Sequence, residues 1–183
     1  MRLGVNTEMA MRMKSNLILS GFAAMAIMSS GFVSAVNAQE PARIKQHNAW
    51  GSYSYTSGGN KVCFVLSAPT KKEPADRDHG DVYFMLAKHS GQSNVVEPQF
   101  TVGYAFKEES KVNLTIDGKQ FSMFTKGSNA WMENPNEEAT VVAAMRAGSN
   151  MSVQGMSRRG TVTQYTYSLS GVTASLNDVA NCG

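Results

Sequence analysis

The residues best equipped for chemistry fall in one short run, Asp76-Arg77-Asp78-His79-Gly80-Asp81, where three carboxylates surround an imidazole. Crowded carboxylates are the donor set of a hard cation, and a histidine beside an aspartate is the equipment of acid–base catalysis. The spacing argues against a calcium loop, which needs an oxygen ligand at its fifth position, glycine at its sixth and glutamate at its twelfth. Here Gly80 stands fifth and Asp81 sixth. One histidine among aspartates also falls short of a zinc set. The expectation is a solvated loop whose aspartates cap turns and pair with Arg77. A hydrolase would have to use Asp78, His79 or Asp81, converging in a cleft.

Elsewhere His47 and His89 stand apart from any Ser/His/Asp or Cys/His setting, and there is no nucleophile elbow, HExxH or phosphate loop. No catalytic, metal-binding or cofactor-binding residue is therefore assigned. Lys71-Lys72 reads as a solvated turn. Arg158-Arg159, at the tip of an expected hairpin, presents guanidinium groups suited to a carboxylate or phosphate.

These groups are carried by a chain of 183 residues, 42% hydrophobic and 17% charged, enough for one globular domain. Arg12 and Lys14 precede an apolar run from Leu17 to Met28, and small residues follow at Val36-Asn37-Ala38. That pattern is a secretory signal over residues 1–38, with cleavage between Ala38 and Gln39; the run is too short to span a membrane. Methionines at 9, 11 and 13 leave the start codon open. Removing the leader takes the net charge from +3 to +1. A near-neutral chain without a basic run has no electrostatic footprint for nucleic acid or an anionic membrane. In an oxidising compartment the two cysteines, Cys63 and Cys182, favour one structural disulfide over a thiol site.

Residues 39–183 read as one domain of short strands separated by turns. Trp50 to Tyr55 and Val62 to Leu66 flank Ser57-Gly58-Gly59-Asn60 as a hairpin. A polar loop from Ala68 to Gly80 precedes a strand from Val82 to Ala87, and Gln99 to Phe106 is a further candidate, with Pro98 at its start. Asp117-Gly118 is a two-residue turn between Val112–Ile116 and Lys119–Phe124. It sets Leu114 opposite Phe121 and Val112 opposite Met123 on a buried face. A helix is expected from Pro135 to Ala147, capped by Asn134, supported by Glu137, ended by Gly148, and facing the core with Val141, Val142 and Met145. Met151–Met156 and Thr161–Leu169 form a second hairpin, with Tyr165, Tyr167 and Leu169 on one side. A short C-terminal helix from Thr173 to Ala180 carries Leu176 and Val179 inward.

Several of these residues recur in a recognisable order: Trp50, Cys63, Pro69, Arg77-Asp78, Gly103-Tyr104-x-Phe106, Phe121 and Ala130-Trp131. Ala144-Met145-Arg146-x-Gly148, Met151-x-Val153, Ser157-x-x-Gly160-Thr161, Tyr167-Ser168-Leu169-x-Gly171 and Cys182 follow. The series resembles the invasion-associated locus B family of alphaproteobacterial exported proteins, in its short two-cysteine form, over nearly the whole of residues 39–183. The resemblance implies a periplasmic or outer-membrane-associated β-rich domain, linked in pathogenic members to host-cell entry. It supplies no catalytic residues. The sequence departs from the pattern at Pro98, expected to interrupt a strand, and at Tyr165, where an aspartate is expected before Tyr-Ser-Leu.

The expected fold is a mainly β antiparallel sandwich of about seven to nine strands, with a partly open barrel as the alternative, one packed helix and a short C-terminal helix. Three functions follow from it. The first is a non-catalytic envelope protein that binds an envelope or host protein or glycan, through a surface drawn from Arg158, Arg159, Trp131 and Tyr104, with Tyr53 and Tyr55 as further aromatic candidates. The second is a periplasmic chaperone-like factor with an open sheet edge. The third is the hydrolase. The expected location is periplasmic or outer-membrane-associated after cleavage, with secretion as a further possibility.

Overall fold

Alternation of apolar and polar residues from Val112 to Phe124 builds a regular hairpin, and its register matches the expectation. Val112 pairs with Met123 and Leu114 with Phe121, while Asn113 faces Ser122 and Thr115 faces Gln120 on the other side. The computed structural model describes residues 40–88 and 96–180. The chain divides at Val36/Asn37, and all described residues belong to the part from Asn37 onward.

Eleven strands occur in these residues: β1 (Ala42–His47), β2 (Trp50–Ser57), β3 (Asn60–Ser67), β4 (Lys71–Glu73), β5 (Tyr83–Lys88), β6 (Val96–Thr101), β7 (Lys111–Ile116), β8 (Lys119–Lys126), β9 (Asn129–Met132), β10 (Asn150–Met156) and β11 (Val162–Ser168). All lie in one antiparallel ladder of order β1-β2-β3-β5-β6-β9-β8-β7-β10-β11-β4. The ladder curls over on itself: Phe84 on β5 meets Tyr167 on β11 at 6.1 Å between ring centres, and Phe100 on β6 meets Tyr165 at 5.4 Å. Its end strands β1 and β4 do not pair, so the sheet is not a closed barrel.

The buried face carries Val65, Phe84, Leu86, Phe100, Met123, Met151, Val153, Tyr165 and Tyr167, with Trp50 donating its indole N–H to the Ser168 carbonyl at 2.9 Å. Helix α1 (Glu138–Ala147) follows a single 3-10 turn at Pro135–Glu137, where Asn134 accepts the Asn136 N–H at 3.1 Å. Val141 and Met145 of α1 enter the core, and Val142 packs against it. Helix α2 (Val172–Ala180) contributes Leu176 and Val179 and packs on β1, β2 and β3. No helix among the described residues is long and apolar enough to cross a membrane.

Three differences from the sequence expectations stand out. The polar loop from Ala68 to Gly80 contains β4, which pairs with β11 through Lys71, Lys72 and Glu73. Pro98 does not interrupt a strand: it lies inside β6 opposite Leu86, and the strand ends at Thr101 instead of continuing to Phe106. Proline is tolerated there because β9 joins β6 only from Gln99 onward, so Pro98 has a neighbour on one side alone. Finally β1 and β9, both short, add to the strands expected from periodicity.

Candidate functional site

Three segments that the sequence separates by dozens of residues meet at one end of the curled sheet. They are the loop between β4 and β5, the segment after β6, and the tip of the β10–β11 hairpin. Two close backbone approaches hold them together. Gly103 donates its N–H to the His79 carbonyl at 3.0 Å, and a Cβ on Gly103 would stand 2.6 Å from the Gly80 Cα. On the other side Arg158 donates its N–H to the Ala105 carbonyl at 2.9 Å, and Lys107 its own to Met156 at 2.9 Å. The hairpin tip is closed by Gly160 N–H to the Ser157 carbonyl at 2.8 Å, with Gly160 at φ +83°. That left-handed conformation explains a glycine after two arginines.

Between these segments opens a cleft of about 570 Å³, lined by Arg77, Asp78, His79, Tyr104, Arg158 and Arg159, with Asp76, Ala105, Ser157, Thr161 and Thr163 completing it. That volume falls in the range of small-ligand sites. The Asp76–Asp81 run is thus only partly a solvated loop. Asp78 does cap its turn, accepting the Gly80 N–H at 2.9 Å, and Asp76 lies 3.7 Å from Arg77. His79, however, is buried.

The floor is a continuous hydrogen-bond chain. His79 Nε2 lies 2.9 Å from the Pro74 carbonyl, which only accepts, so Nε2 carries a proton. His79 Nδ1 lies 2.7 Å from the Tyr165 hydroxyl, which is 3.1 Å from the Tyr104 hydroxyl. Tyr104 is 2.6 Å from Thr163 Oγ1, and Thr163 donates to the Gly155 carbonyl at 3.3 Å. Burial pushes the Tyr165 phenol well above its ordinary range, so it stays protonated. Both nitrogens of His79 are therefore engaged by structural partners. A general base needs a free lone pair within reach of a nucleophile. Among the described residues no group of three His, Cys, Asp or Glu side chains lies close enough to hold a metal ion.

The residues singled out from sequence divide between two places. Arg158, Arg159 and Tyr104 line the cleft together with Asp76, Arg77, Asp78 and His79; Asp81 does not. Trp131 stands elsewhere, on the outer side of the sheet in a row with Leu66, Met85, Gln99 and Phe124. It stacks on Phe124 at 5.7 Å, and Phe124 is 45% exposed. Tyr53 and Tyr55 gather around Phe64 on that same outer side. Sequence reasoning missed Ser157, Thr161 and Thr163 as cleft residues and Tyr165 as the floor. Alternation had already turned Tyr165 inward, beside Tyr167, but nothing local placed His79 next to it.

Cys63 is buried on β3 and no described cysteine is a free thiol. Its expected partner Cys182, the cleavage site at Ala38 and Gln39, and His89 lie outside the described residues.

A curled, open antiparallel sheet with two helices and a cleft lined by arginines and hydroxyls at its end defines the class: a β-rich domain of mainly antiparallel strands. The Invasion associated locus B (IalB) protein family matches residues 50–180, and the chain belongs to that family. Among solved structures it is similar to invasion associated protein b from Bartonella henselae, with a TM-score of 0.56 and 19% identity, over 75% of this chain and 94% of that one. That likeness establishes the shared fold. No curated protein matches the chain in sequence.

Proposed function

We propose that this chain is an exported, non-catalytic binding protein of the cell envelope, which engages an envelope or host component through the cleft at the Arg158-Arg159 hairpin tip. One observation carries the reading. Two exposed arginines whose guanidinium groups have no hydrogen bond or ion pair among the described residues stand over a floor whose polar atoms are committed to one another. Uncommitted charge at the rim of a pre-formed cleft is a recognition device. A hydrolase is disfavoured because His79 has no nitrogen to spare.

The chaperone-like reading needs a sheet edge open to a client strand. Edge strand β1 instead carries Arg43 and Lys45 and a register break between them, features that discourage strand addition. Edge strand β4 is only three residues long. Export rests on the leader at residues 1–38, and in an oxidising compartment Cys63 and Cys182 would tie the C-terminus to β3, stabilising the fold by up to about 5 kcal/mol. The partner is a protein or glycan of the periplasm, the outer membrane or a host surface.

The test is crosslinking in the intact envelope with the chain from Gln39 onward, tagged and oxidised, beside an Arg158→Ala/Arg159→Ala variant. A discrete species captured by the first and lost with the second supports the reading. Equal capture by both removes the cleft from the function.

A further inference from the structure

Every polar group of the cleft can be assigned as spent or spare, and the spare ones are of one kind near the hairpin tip. Thr163 gives its proton to Gly155 and Tyr104 gives its own to Thr163, while the single Tyr165 proton is taken up between His79 and Tyr104. None of these hydroxyls has a proton left for a ligand. Ser157 Oγ accepts the Thr161 N–H at 3.1 Å and keeps its own proton free. The Thr161 hydroxyl and the Arg158 and Arg159 guanidinium groups have no partner among the described residues. The spare groups on this wall can therefore all donate, two of them cationic, on a hairpin tip whose backbone is docked on Ala105 through Arg158.

The facing wall differs. Arg77 stands 3.7 Å from Asp76, and Asp78 uses one oxygen on the Gly80 N–H and keeps the other. That wall offers carboxylate acceptors. With two carboxylates to the one cation of Arg77 it is net negative, and it favours a ligand that brings hydroxyl or ammonium donors.

We infer that the cleft takes an organic carboxylate bearing hydroxyl or ammonium donors on its other end, its carboxylate held by Arg158, Arg159 and the Ser157 and Thr161 hydroxyls, its donors by Asp76 and Asp78. Guanidinium groups match the two oxygens of a carboxylate in plane, and charge-assisted bonds of this kind are the strong ones. A ligand with one carboxylate and separate donors at its other end serves both walls; inorganic phosphate, partly doubly charged near neutral pH, brings extra negative charge beside Asp76 and Asp78. The assignment rests on the binding reading above and narrows it to a ligand class.

The probes are glucuronate, glycine, glucose and inorganic phosphate, titrated into the oxidised chain from Gln39 onward while amide NMR shifts are recorded. Glucuronate and glycine span the hydroxyl and ammonium versions of the same chemistry. The expected result is saturable shifts at Ser157–Thr161 and Asp76–Gly80 with at least one of the two carboxylates. Glucose produces none, and phosphate binds more weakly. Arg158→Ala/Arg159→Ala should weaken carboxylate binding at least tenfold. Arg158→Lys/Arg159→Lys, which keeps the charge and loses the planar fork, should weaken it less. Both pairs are exposed, and an unchanged spectrum away from the hairpin tip verifies folding. Absence of saturable shifts with both carboxylates, tighter binding of phosphate, or indifference to the arginine variants overturns the assignment. If the envelope capture still depends on the arginines while both carboxylates fail, the ligand class falls and the binding function stands.

Discussion

Asp117 Oδ2 accepts the Ser149 N–H at 2.7 Å, while its other oxygen takes the Asn150 N–H at 3.1 Å. The residue that makes the β7–β8 turn, at φ +42°, therefore also anchors the exit from α1 into β10. Gly148 has to be glycine for the same reason, since a Cβ there would lie 2.9 Å from Asp117 Oδ2. Asp117→Ala loses two charge-assisted bonds and a side chain tolerant of that backbone, and should destabilise the protein by about 2–3 kcal/mol in urea unfolding. Asp117→Asn keeps the turn preference and one acceptor, so its loss should be clearly smaller. Equal losses would mean that the carboxylate bonds alone, and not the turn preference, set the effect.

Gly103 and Gly80 touch through their backbones, and this contact fixes the loop that carries His79 into the cleft. A methyl group on Gly103 has nowhere to go, because Gly80 Cα and the His79 carbonyl both lie under 3 Å from it. Gly103→Ala should lower stability by about 1–3 kcal/mol and shift the amide signals of residues 76–81. An alanine variant with native stability and native signals would show that the two loops are not held in register here.

Much of this architecture was legible in the residues. Asp117-Gly118 gave the right register because both positions need a turn conformation that few residues accept. Period-two alternation placed Tyr165, Tyr167 and Leu169 inside correctly. Strand β4 was hidden because Lys71-Lys72-Glu73 has no apolar face; its pairing with β11 is a tertiary event. The cleft was legible only as scattered parts. Arg158-Arg159 announced a donor pair and Asp76–His79 a polar loop, but curling of the sheet is what makes them face each other.

At the opposite edge Asp178 Oδ2 accepts from the Ser52 hydroxyl at 2.8 Å and lies 2.8 Å from His47 Nε2, joining α2 to β1 and β2. The Ser52 hydrogen bond, more than His47, holds the Asp178 carboxyl below its ordinary value of 3.8. A carboxyl depressed in the folded state adds stability above its unfolded value, and that stability is lost as pH falls through the folded value. Asp178→Asn should therefore be less stable than the parent at pH 6, with the gap closing below pH ~4. Urea midpoints across that range measure it, and a gap that widens in acid would contradict the assignment.

Tyr165 and Tyr167 are adjacent on the same buried face of β11 and differ in one respect. The Tyr165 hydroxyl bridges His79 and Tyr104, whereas the Tyr167 hydroxyl is buried with no hydrogen-bond partner among the described residues. Burial pushes both phenols above their ordinary range, so neither ionises at physiological pH. Removing the Tyr165 hydroxyl leaves the Nδ1 of a buried histidine and the Tyr104 hydroxyl each short of a hydrogen-bond partner, at a loss of about 1–3 kcal/mol for Tyr165→Phe. Removing the Tyr167 hydroxyl relieves an unpaid desolvation and fills the space with the same ring, so Tyr167→Phe should be neutral or stabilising. Thermal unfolding of the two single variants, one oxygen apart from the parent and two residues apart from each other, separates a hydrogen-bonded cleft floor from a merely apolar one. A reversed order of stability would show that the chain from His79 to Thr163 does not hold the site together.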